Sequence, residues 1–156
     1  MMVSELIRRG TVVPELSSRA KGPALNELLN ALVDAGRVPR DGLKDIAAAV
    51  MARERLGTTG IGYGIAFPCA RHDLVPHPLV ALGRSNQGIE YESLDEAPVH
   101  IVLMVLSDRR TSLDHLRALA QVARLFRDER LIRATRAATT PDEILHGIEA
   151  AEQFMK

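Results

Sequence analysis

The sequence predicts a layered α/β domain, and three features carry that prediction. Segments with the 3.6-residue spacing of amphipathic helices recur along the chain. Two runs of aliphatic and β-branched residues between them have the length of strands, and glycines and prolines punctuate the joints. The 156 residues are 46% hydrophobic and 26% charged, which suits one globular domain spanning 1–156 with a sizeable core.

The elements follow in order. Residues 1–10 form a short amphipathic helix, with Val3, Leu6 and Ile7 opposite Arg8 and Arg9. TVVPEL reads as a brief strand that its proline confines to an edge or an end. GPALNELLNALVDAG places Leu25, Leu28, Leu29, Leu32 and Val33 on one helical stripe, with Pro23 in the first turn and Gly36 as the stop. A second helix in PRDGLKDIAAAVMARERLG carries Leu43, Ile46, Ala47, Val50, Met51 and Leu56, and ends at Gly57. Residues 79–89, LVALGRSNQGI, start as a strand and run into a turn-like Ser85-Asn86-Gln87-Gly88. PVHIVLMVLS, residues 98–107, is nearly continuous in apolar residues, as a central strand buried on both faces requires, with His100 as its polar exception. The last third is helical in three pieces. In the third piece Thr140 is an N-cap, Pro141 takes the first position, and Glu143 completes a capping box.

Composition excludes several function classes. Twenty basic residues balance twenty acidic ones, so the whole chain has no electrostatic pull toward nucleic acid or an anionic membrane surface. Aromatics are 3% and Trp is absent, which argues against base stacking. The single cysteine can form neither an internal disulfide nor a thiolate metal site, and it favours a reducing compartment. The N-terminus lacks the apolar core and cleavage site of a secretory signal, and the longest apolar run, IVLMVL, is too short to cross a membrane. Cytoplasm is the expected location.

The stretch with the densest chemistry is GTTGIGYGIAFPCARHD, residues 57–73, where four glycines and a proline surround Cys69. The thiol is open to four readings: nucleophile, redox sensor, packing residue, or replacement for something else. Arg53, His72, His77, His100 and His115 are the other candidate chemical groups, and each alone has a bland explanation as a surface or hydrogen-bonded side chain. The glycine run lacks the GK[ST] ending of a P-loop, and no strand leads into it as a dinucleotide-binding fingerprint requires.

ARERLGTTGIGYGIAFPCAR resembles the signature of the type-2 enzyme IIA domains of the bacterial phosphotransferase system, the fructose/mannitol and nitrogen-regulatory branch, and SLDHLRALAQVARLF resembles a later family segment that carries a second histidine. The element order fits from about residue 3 to residue 152. The resemblance implies a small mixed β-sheet flanked by helices on both faces, and no metal or organic cofactor. It implies that Arg53 stabilises phosphoryl oxygens through planar charge-assisted donors and that His115 is the second active-site histidine. At the position where the family carries its phosphoryl-accepting histidine, this sequence has Cys69. Tyr63 stands where an asparagine or acidic residue is usual, and His72 does not occupy the phosphorylated position. Cys69 is expected at a strand or loop end in a shallow depression shared with Arg53 and His115, rimmed by Phe67, Leu74 and Leu113.

Three functions follow as expectations. The first is a regulatory binding protein held in the unphosphorylated form, of the nitrogen-regulatory kind. The second is a phosphoryl carrier that uses Cys69, with Arg53 and a protonated His115 lowering the thiol pKa. The third is a thiol-based redox or nucleophilic site. The partners implied are the phosphocarrier protein or regulatory protein targets, without nucleic acid or membrane insertion. Neither a sugar nor an oligomeric state is assigned.

Overall fold

The computed structural model describes residues 1–155. Among the described residues, six helices and six strands follow in order: α1 (Val3–Arg9), β1 (Thr11–Val13), α2 (Lys21–Asp34), α3 (Leu43–Arg55), β2 (Gly60–Gly62), β3 (Ile65–Ala66), β4 (Cys69–Arg71), β5 (Leu79–Ile89), β6 (Val99–Ser107), α4 (Ser112–Leu125), α5 (Glu129–Ala137) and α6 (Pro141–Phe154). A 3-10 turn, Arg40–Gly42, leads into α3.

The sheet is mixed, in the order β1-β5-β6-β3-β2, and β4 adds to the free length of β6 beyond β3. The strands β3 and β4 both run parallel to β6, β5 runs antiparallel to it, and β1 runs parallel to β5. Strand β6 is central because it is apolar on both faces. Val102, Met104 and Leu106 meet the α2/α3 layer, while Ile101, Leu103 and Val105 meet the layer containing α1, α4 and α6. Each such side chain contributes roughly 1.5–3 kcal/mol by leaving water. Helices therefore cover both faces, as the resemblance implies, and β1 lies on an edge where Pro14 ends it.

Local chemistry sets the helix ends. Gly36 adopts φ +75° just past α2. The Thr140 hydroxyl accepts the Glu143 N–H at 3.1 Å, so the expected cap of α6 is formed.

Two expectations are corrected. The turn at Ser85–Gly88 is absorbed into β5, which runs to Ile89 through an irregularity in its pairing with β6. Leu56 lies outside the buried stripe of α3 and is 85% exposed. The glycine-rich stretch, which shows no strand pattern in the sequence, holds three short strands. Its first two form a hairpin whose central residues, Tyr63 and Gly64, have φ +60° and +75°, the signs a two-residue type I′ turn requires. Gly60 is constrained by space, since a Cβ there would collide with Ser93 Oγ.

Candidate functional site

Pro68 lies between β3 and β4, and its carbonyl accepts the Val105 N–H at 2.9 Å. Pairing with β6 resumes at Cys69, which sits opposite Val105 as the first residue of β4. Because β4 is bordered by β6 on one side only, Cys69 lies at the sheet margin, between α3 and α4. A depression of about 860 Å³ opens there, lined by Arg53, Cys69, Arg71, Arg109, Ser112 and His115, among others.

Each of these side chains is positioned by its neighbours. Arg53, in the last turn of α3, donates from Nη1 to the Gly57 carbonyl at 2.9 Å and so ties the helix end to the glycine run. The same side chain lines the depression. His115 stands in the first turns of α4, and its Nδ1 hydrogen-bonds the buried Ser107 hydroxyl at the end of β6. Arg71 Nη1 donates to Ser112 Oγ at 2.5 Å, linking β4 to the start of α4.

Beneath the site lies a buried polar cluster. The Glu54 carboxylate accepts from the Thr59 N–H at 3.2 Å, Tyr91 Oη at 3.1 Å and Lys21 Nζ at 3.1 Å, and it also contacts the Thr59 hydroxyl. Lys21 lies 4.7 Å from the Tyr91 ring centroid, adding a cation–π contact.

The electrostatics differ from the sequence expectation of an activated thiolate. Cys69 is 9% exposed, and burial is the largest influence on its thiol, pushing the pKa up. Arg53 opposes that shift, Glu54 reinforces it and Arg71 opposes it more weakly, leaving the pKa raised. Burial pushes the His115 pKa down, and the Arg71 charge pushes it further the same way. At neutral pH the site therefore pairs a protonated thiol with a neutral imidazole, and His115 supplies no charge to stabilise a thiolate.

Cys69, Arg53 and His115 thus face one depression, while the remaining histidines lie elsewhere. The His72 Nδ1 accepts the Leu74 N–H at 3.1 Å, His77 is exposed, and His100 Nδ1 pairs with the Ser85 carbonyl at 2.8 Å. The expected apolar rim is also corrected. Phe67 is half-buried against the core layer that contains α4, and Leu74 lies beside Gly42, at the opposite end of α3 from Arg53. Leu113 is exposed on α4, but Leu56, Leu116 and Leu119 are the leucines that line the depression. Sequence reasoning missed Arg71, Arg109 and Ser112. Arg71 sits two residues from Cys69 in the motif, and that spacing was the available signal, because two residues along a strand return to the same face.

The comparisons with known proteins bear on the family and the fold. Residues 5–151 match the family described as the phosphoenolpyruvate-dependent sugar phosphotransferase system, EIIA 2. The chain is 31% identical over 138 residues to a nitrogen regulatory protein of Bradyrhizobium diazoefficiens, covering 88% of each. It is 34% identical over 146 residues to the fructose-specific EIIABC component of Bacillus subtilis, covering 93% of this chain but only 22% of that longer relative. Its fold superposes on the crystal structure of a nitrogen regulatory protein from Neisseria meningitidis with a TM-score of 0.81, at 22% identity, covering 94% of this chain and 98% of the other. Among the described residues no helix is long and apolar enough to cross a membrane. By sequence match over nearly its whole length, with the mixed sheet and helical layers to go with it, the chain belongs to the EIIA type-2 family of the phosphoenolpyruvate-dependent sugar phosphotransferase system.

Proposed function

We propose that this protein is a regulatory EIIA-type domain that does not accept a phosphoryl group, because Cys69 stands in place of the acceptor imidazole. The observation that carries this reading is the state of the thiol: it is buried, its pKa is raised, and its neighbour His115 is neutral. The thiolate is the nucleophilic form of cysteine, and this environment suppresses it. Geometry acts in the same direction. A cysteine sulfur ends one bond beyond Cβ, whereas an imidazole carries its reactive nitrogen farther into the depression. An incoming phosphoryl donor would have to reach deeper, and a misplacement of about 1 Å can cost on the order of a hundredfold in rate.

In this reading the protein acts by binding. Its partner is the phosphocarrier protein or a regulatory target, and it docks over the depression, where Leu56 and Leu116 are 85% and 61% exposed beside Arg53 and Arg109. The relationship to a nitrogen regulatory protein and to a fructose-specific component is compatible with either partner, and the absence of an acceptor imidazole favours the regulatory role.

The test is intact-protein mass after incubation with phosphoenolpyruvate, enzyme I and the phosphocarrier protein, in mildly alkaline buffer that preserves labile phosphate. No phosphoryl gain is expected, while a family member with its histidine is labelled in the same tube. A gain lost in Cys69→Ala and kept in His72→Ala would instead make this a carrier with a cysteine acceptor.

A further inference from the structure

We infer that two copies of this chain pair about a two-fold axis, with the acidic 90–96 segment of each copy resting on the arginine-lined depression of the other. The inference goes beyond the proposed function, since the occupant is a second copy rather than a different protein, and it holds whether or not Cys69 takes a phosphoryl group.

Charge complementarity is the first support. The chain is neutral overall, with twenty basic and twenty acidic residues, but the charges are sorted. The depression is lined by Arg53, Arg71 and Arg109 and by no carboxylate. Among the described residues, neither Arg53 nor Arg71 enters an ion pair. Arg109 meets Asp73 only at 4.0 Å, with both side chains more than 60% exposed, which is too weak to neutralise it. The segment Glu90-Tyr91-Glu92-Ser93-Leu94-Asp95-Glu96 has the opposite sign, with four carboxylates and no basic residue. Among the described residues none of the four enters an ion pair. Asp95 accepts the Tyr63 and Ala97 N–H groups at 3.2 and 3.1 Å, Glu92 and Glu96 are exposed, and Arg19 is the one cation lining the same surface among the described residues. Guanidinium groups are well matched to carboxylates, so each patch presents what the other lacks.

Each patch also has an apolar centre. Leu94 is 74% exposed in the middle of the acidic segment, and Leu56 and Leu116 are 85% and 61% exposed on the rim of the depression. Leucines exposed to this degree and ringed by charge mark a contact surface, and fully burying each one contributes roughly 1.5–3 kcal/mol. The depression, about 860 Å³, has room for the Leu94 side chain and a flanking carboxylate. The opposite charges around the leucines fix the register and speed the encounter.

The position of the two patches closes the assembly, because the run 57–60 joins them. The Gly57 carbonyl accepts from Arg53 Nη1 at 2.9 Å, the Thr58 hydroxyl donates to the Tyr91 carbonyl at 3.4 Å, and the Leu94 N–H donates to the Gly60 carbonyl at 2.9 Å. A two-fold axis beside this run carries each acidic segment onto the depression of the other copy. One self-complementary surface then makes both contacts, and growth stops at a dimer. Such a dimer covers Leu56 and Leu116, so a different protein that docks over the depression has to displace the second copy.

The experiment is sedimentation velocity over a micromolar to sub-millimolar concentration series at about 0.01 M and about 1 M salt, between which the Debye length falls from about 30 Å to about 3 Å. A monomer–dimer equilibrium is expected at low salt, weakened at least about tenfold at high salt. In Glu92→Lys/Glu96→Lys and in Arg71→Glu/Arg109→Glu like charges would face each other, so each variant alone is expected to remain monomeric. An equimolar mixture of the two restores opposite charges at both contacts and is expected to recover the dimer. Arg127→Gln, which removes an exposed charge away from the depression, is expected to dimerise like the wild type. Circular dichroism on each variant separates lost association from lost fold. If a charge variant is unfolded, Leu94→Ser is expected to weaken the dimer at least about tenfold in its place. A wild type that stays monomeric throughout the low-salt series, species that grow beyond a dimer, or a mixture of folded charge variants that stays monomeric overturns the inference. The phosphoryl mass test on the same preparation is unaffected by any of these results, so failure here and failure of the proposed function are distinguishable.

Discussion

Replacing Glu54 by Gln removes the negative charge at the centre of the buried cluster under the site. In the native protein its carboxylate is 2% exposed and holds Lys21 Nζ at 3.1 Å, together with Tyr91 Oη and Thr59. The glutamine amide fills the same space but leaves the Lys21 ammonium without a counter-charge. Removing one partner of a buried pair costs about 3–5 kcal/mol. Lys21 retains 14% side-chain exposure and its Tyr91 contact, so the lower end, about 3 kcal/mol, applies. For a chain of this size that corresponds to a fall in Tm of roughly 6–12 °C. Urea unfolding followed by far-UV circular dichroism reads the loss directly. A second readout comes from Cys69. The Glu54 charge is one of the influences that raise the thiol pKa, so the pH profile of iodoacetamide alkylation should move to lower pH in the variant. A stability loss below about 1 kcal/mol, the range of an exposed ion pair, with an unmoved alkylation profile, would refute the reasoning.

Three further outcomes are expected. An unperturbed thiol near pKa 8.5 is about 3% thiolate at pH 7, so buried Cys69 should alkylate more slowly than an unstructured cysteine peptide, and an inflection below 8.5 would contradict the assigned environment. Stability should fall at both ends of the pH range. The unfolded His115 takes up a proton near 6.5 while the folded imidazole resists it, so stability drops as pH falls below that value. The unfolded Cys69 loses its proton near 8.5 while the folded thiol retains it, so stability drops as pH rises beyond that point. Denaturation midpoints across pH 5–10 check this, and an acid limb unchanged in His115→Asn would contradict it. Finally, Tyr63 holds φ +60°, which a bulky side chain tolerates poorly and asparagine tolerates well, so Tyr63→Asn should stabilise the protein by about 1 kcal/mol. A melting temperature that stays level or falls would count against strain at that turn.

The helices were legible because their cores follow a periodic rule. Leu25, Leu28, Leu29 and Leu32 repeat at helical spacing and all four are buried. The central strand was legible for the opposite reason, since a run apolar on both faces has only one comfortable place in a layered fold. The three strands at 60–71 were not legible. They are two or three residues long and glycine-rich, and they are held by pairing with distant β6 or with one another rather than by any local alternation. At the site, the motif brought out Cys69, Arg53 and His115. Arg71 and Arg109 look like ordinary surface charges until the edge of the sheet and the start of α4 bring them to one depression. The thiol's raised pKa was hidden for a related reason: neighbouring arginines are visible in a sequence, whereas burial is a property of the packed fold.

The central claim is that the residue at position 69 decides whether the domain takes a phosphoryl group. Its most direct test compares the intact mass of the wild type and of Cys69→His after incubation with phosphoenolpyruvate, enzyme I and the phosphocarrier protein in one reaction. The predicted result is no gain on the wild type and one phosphoryl group on Cys69→His, whose imidazole would stand beside Arg53 and His115 in the same depression. A phosphoryl group on the wild type, lost in Cys69→Ala, would contradict the claim.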